Sequence, residues 1–181
     1  LGTPTAPVIN AGSLAASGTS TINVAGGPLV EGSFKLIDYA GAIGGSGFGA
    51  FALGPLPAGI SGELVDNTGD GSVDLSITNI SALVWQGYLG PAWDVNATPN
   101  WDLSAVPGTY TEFSHVRFDD TASVTTDVTL AGPVYPSGVT VSNDARNYLF
   151  TGAGGIAGPV GLVKQGAAMM TVSNANGYTG N

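Results

Sequence analysis

Short segments in which apolar residues recur at every second position run along the whole chain, and turn residues separate them every eight to twelve positions. No window sustains the i, i+3, i+4 spacing of an amphipathic helix. The pattern therefore predicts an all-β protein, either a sandwich, a barrel or a solenoid. The predicted strands are 21–24, 33–39, 72–78, 115–118, 126–130, 138–141, 147–150 and 169–172.

The composition predicts a folded chain with a real core. Hydrophobic residues make up 43% of the 181 positions and charged residues only 9%, whereas a disordered acidic chain shows the reverse balance. The apolar rows expected to form the core are Ile22, Val24, Leu36, Ile37, Val116, Phe118, Leu130, Val141, Phe150 and Val172.

The charge balance bears on partners and compartment. Thirteen acidic residues against four scattered basic ones give a net charge of −9, which disfavours binding to nucleic acid or to an anionic membrane. No run of eighteen apolar residues is present, so no transmembrane helix is expected. Low Lys content, abundant Thr, Ser, Asn and Gly, and the absence of Cys suit an extracellular or cell-surface bacterial protein.

The chain changes in texture near 79–82. Residues 1–80 are poor in Trp and rich in Ala, Gly and Leu, whereas residues 81–181 open with a Trp-rich segment. The sequence predicts two β regions with these bounds, and one continuous domain is the alternative.

The segment 148–180 resembles the autotransporter-associated β-strand repeat, also called the passenger-associated transport repeat. The resemblance is carried by GLVKQG at 161–166 and NGYTG at 176–180, although Ala168 and Met169–Met170 stand where Gly and Thr-Leu are usual. Segments similar to those of bacterial surface proteins that carry this repeat are FKLIDY at 34–39, WQG at 85–87, WD at 93–94, NW at 100–101 and VRFDD at 116–120.

The resemblance implies a passenger segment of a secreted repeat protein, folded as a right-handed parallel β-helix and without catalytic residues or cofactors. A parallel β-helix or solenoid is therefore the favoured fold. The alternative is a β-sandwich or jelly roll with strand exchange between subunits.

The two ends of the chain look complementary in this family's pattern. The tail stops just before a strand whose end the first residues resemble, so head and tail of successive units would join in register. The residues expected at this joint are Leu1, Gly2, Thr3, Tyr178, Thr179 and Gly180. The partners expected are copies of the chain itself, as a head-to-tail homopolymer or as tandem repeats.

Three Trp residues, Trp85, Trp93 and Trp101, follow each other at intervals of eight. They predict either a surface on which sugar rings stack, and hence a carbohydrate-binding or adhesion module, or rings that fill the core. Asn79 and Asn96 begin N-x-S/T patterns and are candidate glycosylation sites in surface turns.

Asp66, Thr68, Asp70 and Asp74 partly fit a calcium loop. The expected bidentate Glu is replaced by Ile77, so a hairpin turn between two strands is the favoured interpretation and no metal is expected.

Catalysis is not expected. His115 is the only His, and the adjacent Ser114 would point to the opposite face of a strand. A polysaccharide-active enzyme would need clustered carboxylates, for which Asp119, Asp120 and Asp127 are the candidates. The sequence favours an extracellular structural subunit that assembles head to tail.

Overall fold

A computed structural model describes residues 7–24 and 29–180. It is 46% strand and 2% helix, with several sheets and no closed barrel, so the all-β prediction is confirmed. Each of the predicted strands is present, with ends within two residues of the predicted ones. The expected joint residues Leu1, Gly2 and Thr3 lie outside the described residues.

The chain divides into two compact units. Unit 1 comprises residues 1–56 and 60–80, and unit 2 comprises residues 57–59 and 81–181. Each unit has its own cluster of buried apolar side chains.

The described part of unit 1 contains eight strands and a short 3₁₀ helix at Phe48–Ala50. The strands are β1 Ile9–Ala11, β2 Ala15–Ala16, β3 Ser20–Ile22, β4 Gly32–Tyr39, β5 Gly44–Gly45, β6 Phe51–Leu53, β7 Ile60–Asn67 and β8 Ser72–Ile80. Strands β1, β2 and β3 run parallel to β4, β5 and β6 respectively. Strands β4, β8 and β7 form an antiparallel meander in the order β4-β8-β7.

A register shift between Lys35 and Ile37 explains the burial pattern of β4. It interrupts the strict alternation of sides, so that Leu36 and Ile37 are both buried although they are adjacent. They belong to the core of unit 1, while the predicted core residues Ile22 and Val24 are only half-buried against it. The buried members are Leu29, Phe34, Leu36, Ile37, Tyr39, Ile60, Val73, Leu75 and Ile77.

Unit 2 contains eleven strands in its described part. They are β9 Leu83–Trp85, β10 Trp101–Leu103, β11 Val106–Gly108, β12 His115–Asp119, β13 Asp127–Thr129, β14 Gly138–Ser142, β15 Tyr148–Thr151, β16 Ala157–Gly158, β17 Leu162–Gln165, β18 Met170–Val172 and β19 Gly177–Tyr178. Only β9, β10 and β11 pair with each other in the antiparallel sense.

The other strands of unit 2 stack in three parallel ladders. Ladder A contains β9, β12, β14 and β17, in which Val116, Val139 and Leu162 are in register at steps of 23 residues. Ladder B contains β13, β15 and β18, with paired residues 22 positions apart. Ladder C contains β16 and β19, and a parallel bridge joins Val134 to Ile156 beside it.

The chain visits ladders A, B and C in the same order three times. We call these passages rung 1 (115–134), rung 2 (138–158) and rung 3 (162–178). Apolar side chains of successive rungs therefore lie above one another, because paired residues in a parallel ladder point to the same face.

The core of unit 2 is large and aromatic. The buried predicted members are Val116, Phe118, Leu130, Val141 and Phe150, which confirms these assignments. The prediction that Val172 is buried is wrong, since this side chain is 46% exposed. It pairs with the buried Phe150, but it lies in rung 3, where the described residues provide no further rung to cover it.

Close stacking of the turns between ladders requires glycine at defined places. A Cβ added to Gly154 would collide with the backbone of Gly132 in the rung below, whereas a Cβ added to Gly132 would meet no atom within 4 Å. The two turns can approach only because Gly154 has no side chain.

Gly154→Ala should lower the free energy of unfolding by roughly 1–3 kcal/mol, because rungs 1 and 2 must separate to admit the methyl group. Gly132→Ala is the matched control and should change it by less than about 0.5 kcal/mol. Urea unfolding of the two variants tests this, and equal destabilisation would contradict the stacking of these turns.

Candidate functional site

The last rung of unit 2 presents an open strand edge, which is the feature with the clearest capacity to bind a partner. Within residues 7–24 and 29–180, the strands β17, β18 and β19 pair only with rung 2. Unpaired strand edges are templates for adding another strand.

The main-chain direction of β17 shows which groups are available. The carbonyls of Gly161 and Gln165 accept hydrogen bonds from Val139 and Asn143 of rung 2 at 3.4 and 3.2 Å. Alternate residues of a parallel strand bond to opposite neighbours. The N–H and C=O groups of the intervening even-numbered positions therefore face away from rung 2.

The same alternation holds along ladder B. The carbonyl of Met169 accepts from Tyr148, and the N–H of Ser173 donates to Phe150 at 2.8 Å. The main-chain groups of Met170 and Val172 therefore face the open side.

Exposed apolar side chains accompany these free main-chain groups. Val163, Met169, Val172 and Tyr178 are large apolar residues of rung 3 that are 39–60% exposed. Leu162 and Met170 of the same rung still pack against the core. The open edge thus combines a template for hydrogen bonding with apolar surface.

Lys164 occupies an unusual position at this edge. It pairs with the buried Val141, which in turn pairs with the buried Phe118. Its ammonium donates to the carbonyls of Gln165 and Gly166 at 2.6 and 2.8 Å. A lysine at the end of an apolar row limits indiscriminate strand addition, because a partner must cover a charge.

The predicted joint residues at the tail lie at the end of rung 3 and directly after it. Thr179 and Gly180 bond inward, because they donate their N–H groups to the carbonyls of Gly158 and Val160 at 2.9 and 3.0 Å. Tyr178 lies between two residues that bond inward, so its own main-chain groups face the open side.

Unit 1 also has an edge of parallel strands. Within the described residues, β1, β2 and β3 pair only with β4, β5 and β6. Val8 and Ile9 at this edge are 67% and 53% exposed. They border an apolar groove of about 310 Å³, which is lined by Val8, Ile9, Ile22, Asn23, Val24, Leu36 and Ile37.

The Trp residues do not form a glycan-binding surface. Trp85, Trp93 and Trp101 are at most 1% exposed, so the prediction of a sugar-stacking platform is wrong and the core-filling alternative is confirmed. Trp85 and Trp101 are directly paired across β9 and β10, with ring centroids 5.0 Å apart. The contacts between these rings are set by tertiary structure, and the equal spacing of the three Trp residues in the sequence did not predict them.

A buried asparagine positions the loop that carries Trp93. Asn100 accepts the N–H of Leu89 at 2.7 Å and donates to the carbonyls of Gly90 and Ala92 at 3.0 and 2.8 Å. The sequence marks Asn100 only as part of the NW segment of the resemblance, and its burial and hydrogen bonds were not predicted, since an Asn in a loop carries no signal of burial.

The calcium candidates lie on a hairpin, as the favoured interpretation expected. Strands β7 and β8 pair in the antiparallel sense around residues 68–71. Asp66 accepts the Tyr39 hydroxyl at 3.0 Å, and Asp74 accepts Ser72 and Asn67 at 2.8 and 3.0 Å. In the described ranges no group of three or more acidic or His side chains is placed to hold a metal ion.

His115 and Ser114 have separate structural environments. His115 packs on Gly138, with Nε2 3.5 Å from the Thr140 hydroxyl, and burial lowers the pKa of the imidazole. The buried Ser114 hydroxyl lies 2.9 Å from that of Thr111. The contacts recorded for the two side chains do not join them into a nucleophile–base pair.

The acidic candidates have different partners. Asp119 is buried and forms an ion pair with Arg117 at 3.0 Å. Asp120 accepts the N–H groups of Asp144 and Arg146 at 2.8 Å each, and one from Ala145. Asp127 is exposed on β13, so these contacts give Asp119 and Asp120 roles in the fold. The prediction that the chain is not an enzyme stays a prediction.

Two buried tyrosines complete the polar contacts of the core. The hydroxyl of Tyr110 donates to Glu112 at 2.8 Å, and that of Tyr148 donates to the carbonyl of Asp119 at 2.6 Å. Burial raises the pKa of both phenols, so they remain neutral hydrogen-bond donors.

The two candidate glycosylation sites differ in backbone. Asn96 is exposed in a loop with φ of 58°. Asn79 is exposed within strand β8, paired with Ser61, so the expectation of a turn at this site is wrong. Modification of either residue stays a prediction.

No helix in the part of the chain that the structure describes is long and apolar enough to cross a membrane. Comparison with family models, with curated proteins and with solved structures found no match to this chain.

The indole groups allow a matched test of the aromatic core. Trp85 Nε1 donates to the carbonyl of Thr125 at 2.8 Å, whereas Trp101 Nε1 is buried and has no hydrogen-bond partner among the described residues. Trp85→Phe should therefore destabilise the protein by about 1–2 kcal/mol more than Trp101→Phe, since only the first loses a hydrogen bond. Chemical unfolding measures the difference, and the reverse order would contradict the assignment.

The contacts of Asp120 predict that the free energy of unfolding falls at acidic pH. Its contacts with main-chain N–H groups, first that of Asp144, lower the pKa of the Asp120 carboxyl from its ordinary value. The stabilisation is therefore complete above the unfolded-state pKa and is lost as the pH falls through the lower folded-state value. Unfolding measured from neutral to acidic pH should show this loss, and Asp120→Asn should be less stable at neutral pH with a shallower acid dependence.

Proposed function

We propose that this chain is an extracellular structural subunit that assembles end to end through the open edge of rung 3. The observation that carries the proposal is that three parallel ladders end together on one rung with outward-facing main-chain groups and exposed apolar side chains. Strand addition to such an edge supplies both hydrogen bonds and apolar burial.

The proposal includes a parallel β-solenoid as the architecture of unit 2. Support comes from the repeated order of ladders A, B and C and from steps of 20 to 23 residues between paired positions of successive rungs. A β-sandwich or jelly roll is built mainly from antiparallel pairs, which in unit 2 are confined to β9, β10 and β11.

The proposed partner is a second copy, which offers the edge of β1, β2 and β3. These strands already pair in the parallel sense on one side, so a further parallel rung continues the same geometry. Joining two different edges is a heterologous contact, which builds an open fibre when successive rotations do not close into a ring. In a longer chain of tandem repeats, the same edge would receive the next repeat.

Lys164 sets a condition on this joint. A rung stacked over it covers its ammonium, two of whose three N–H donors already have carbonyl acceptors in the same rung. The partner then has to supply one acceptor, which limits the cost of burial and favours a correctly registered joint.

The extracellular setting is part of the proposal. It is supported by the low charge content, the absence of Cys and the resemblance of the tail to a passenger-type repeat. The buried Trp residues remove the support for a carbohydrate-binding module, and Asp119 and Asp120 are held in structural contacts. No observation specifically favours a carbohydrate-binding module or a polysaccharide-active enzyme.

A proline at Val172 tests assembly directly. The N–H of Val172 faces the open side, so Val172→Pro removes an outward donor without breaking a bond to rung 2. The lost bond and the clash of the ring with an incoming strand should weaken self-association at least about tenfold. Sedimentation velocity and electron microscopy at physiological salt measure it, because a net charge of −9 opposes association at low salt.

Val172→Thr is the matched control, since it keeps the N–H group and the branched shape. It should assemble clearly better than the proline variant and only somewhat more weakly than the natural chain, because it loses one methyl group of apolar area. Both variants should show the same circular dichroism. A natural chain that stays monomeric at all concentrations, or a proline variant that assembles as well as the threonine variant, would contradict the proposal.

A further inference from the structure

Rung 3 contains the sequence's only Asn-Gly dipeptide, Asn176–Gly177. An Asn followed by Gly is the pair in which a main-chain nitrogen most readily reaches the side-chain amide carbon, because Gly has no side chain to hinder the approach. This chemistry has no role in the proposed assembly.

The fold holds both reacting groups in hydrogen bonds to the rung below. The nitrogen of Gly177 donates to the carbonyl of Ile156 at 2.8 Å. The side-chain oxygen of Asn176 accepts the N–H of Ile156 at 2.8 Å, and its Nδ2 donates to the carbonyl of Asn174 at 3.2 Å. The nucleophile is therefore tied to the ladder, and the amide is held at both ends.

The bonds that close this segment are few. Strand β19 contains only Gly177 and Tyr178, both exposed, and it pairs with the two residues of β16. Thr179 and Gly180 add one main-chain bond each to the preceding rung. A two-residue strand with exposed side chains and few main-chain bonds opens locally at a low free-energy cost.

We propose that Asn176–Gly177 is a site of spontaneous deamidation whose rate is governed by the opening of β19 from β16. In the open segment the deprotonated nitrogen of Gly177 attacks Cγ of Asn176. A bond forms between this nitrogen and Cγ, the bond from Cγ to Nδ2 breaks, and ammonia leaves with the proton that the Gly177 nitrogen has lost. Water then adds across either imide bond and gives aspartate or isoaspartate.

The product cannot restore the original contacts. Loss of Nδ2 removes the donor to the carbonyl of Asn174, and isoaspartate adds a methylene group to the main chain at residue 176, immediately before β19. The register between β16 and β19 then fails, because paired residues no longer advance in step. Formation of isoaspartate therefore releases β19 irreversibly, whereas aspartate keeps the main-chain length and loses only the Nδ2 donor.

Gly177 offers a control that leaves the fold intact. A Cβ at Gly177 would meet no atom within 4 Å, and its φ lies outside the left-handed region. Gly177→Ala should therefore fold normally, while its methyl group hinders the attack on Cγ. Asn174→Ala should instead make opening of the segment easier. It removes the hydrogen bond from Asn174 Nδ2 to the carbonyl of Gly154 at 3.0 Å, which holds the same turn.

The experiment follows deamidation by peptide mapping and mass spectrometry in mildly alkaline buffer, with hydrogen exchange at the amide of Gly177 measured in parallel. The urea-unfolded chain should deamidate at Asn176 fastest, and the folded chain at least about tenfold more slowly. The slowing should match the protection of the Gly177 amide within about threefold, because both report the same opening. Asn174→Ala should shift both rates upward together.

Three outcomes would overturn the proposal. The first is an equal rate of deamidation at Asn176 in the folded and the unfolded chain. The second is a deamidation rate that does not follow the exchange rate of the Gly177 amide across the variants. The third is an unfolded Gly177→Ala chain that deamidates as fast as the unfolded natural chain. Partly deamidated folded protein should also lose exchange protection at Thr179 and Gly180, and retained protection there would contradict the release of the strand.

Discussion

The in-register parallel ladder is the interaction on which unit 2 depends. Each rung gains its main-chain hydrogen bonds and its apolar contacts from the rung beside it, and neither can form within a single rung. Because Val116, Val139 and Leu162 are paired at equal steps, one choice of register places every inward side chain above another. A slip of one residue would turn these rows outward.

Side-chain hydrogen bonds at the corners between ladders also stabilise the stacking, and in each of them a carboxylate of one rung accepts N–H groups of the next rung. Asp120 of rung 1 accepts main-chain N–H groups of Asp144 and its neighbours in rung 2, and Asp144 accepts the N–H of Ala167 in rung 3 at 3.0 Å. The corner of rung 3 has Ala167 at the corresponding place, so the series of carboxylate contacts stops there. The last rung therefore differs from the others in its polar contacts as well as in its exposure.

An open edge of this kind is both useful and hazardous. Its free main-chain groups favour a partner strand, and the exposed Val172 adds apolar area, whereas Lys164 places a charge at the end of an apolar row. The balance between these features would decide whether copies join in one register or collapse without order. The short strand β19 is the least supported part of the edge, which makes Asn176–Gly177 vulnerable.

The sequence by itself determined the all-β class and part of the local structure. Alternation with period two predicted eight of the nineteen strands in the described residues, among them β4 and β8, because side chains on the two faces of a strand alternate along the chain. It missed most of the strands of two or three residues, which are too short to show alternation. Tertiary structure alone decided which strands pair and what each apolar residue meets. Trp93 and Trp101 are buried, whereas Val172 is exposed. Burial depends on residues that are distant in sequence, such as the partner 22 positions away in a ladder, or on a further rung. The alternation of neighbouring residues does not encode either contact.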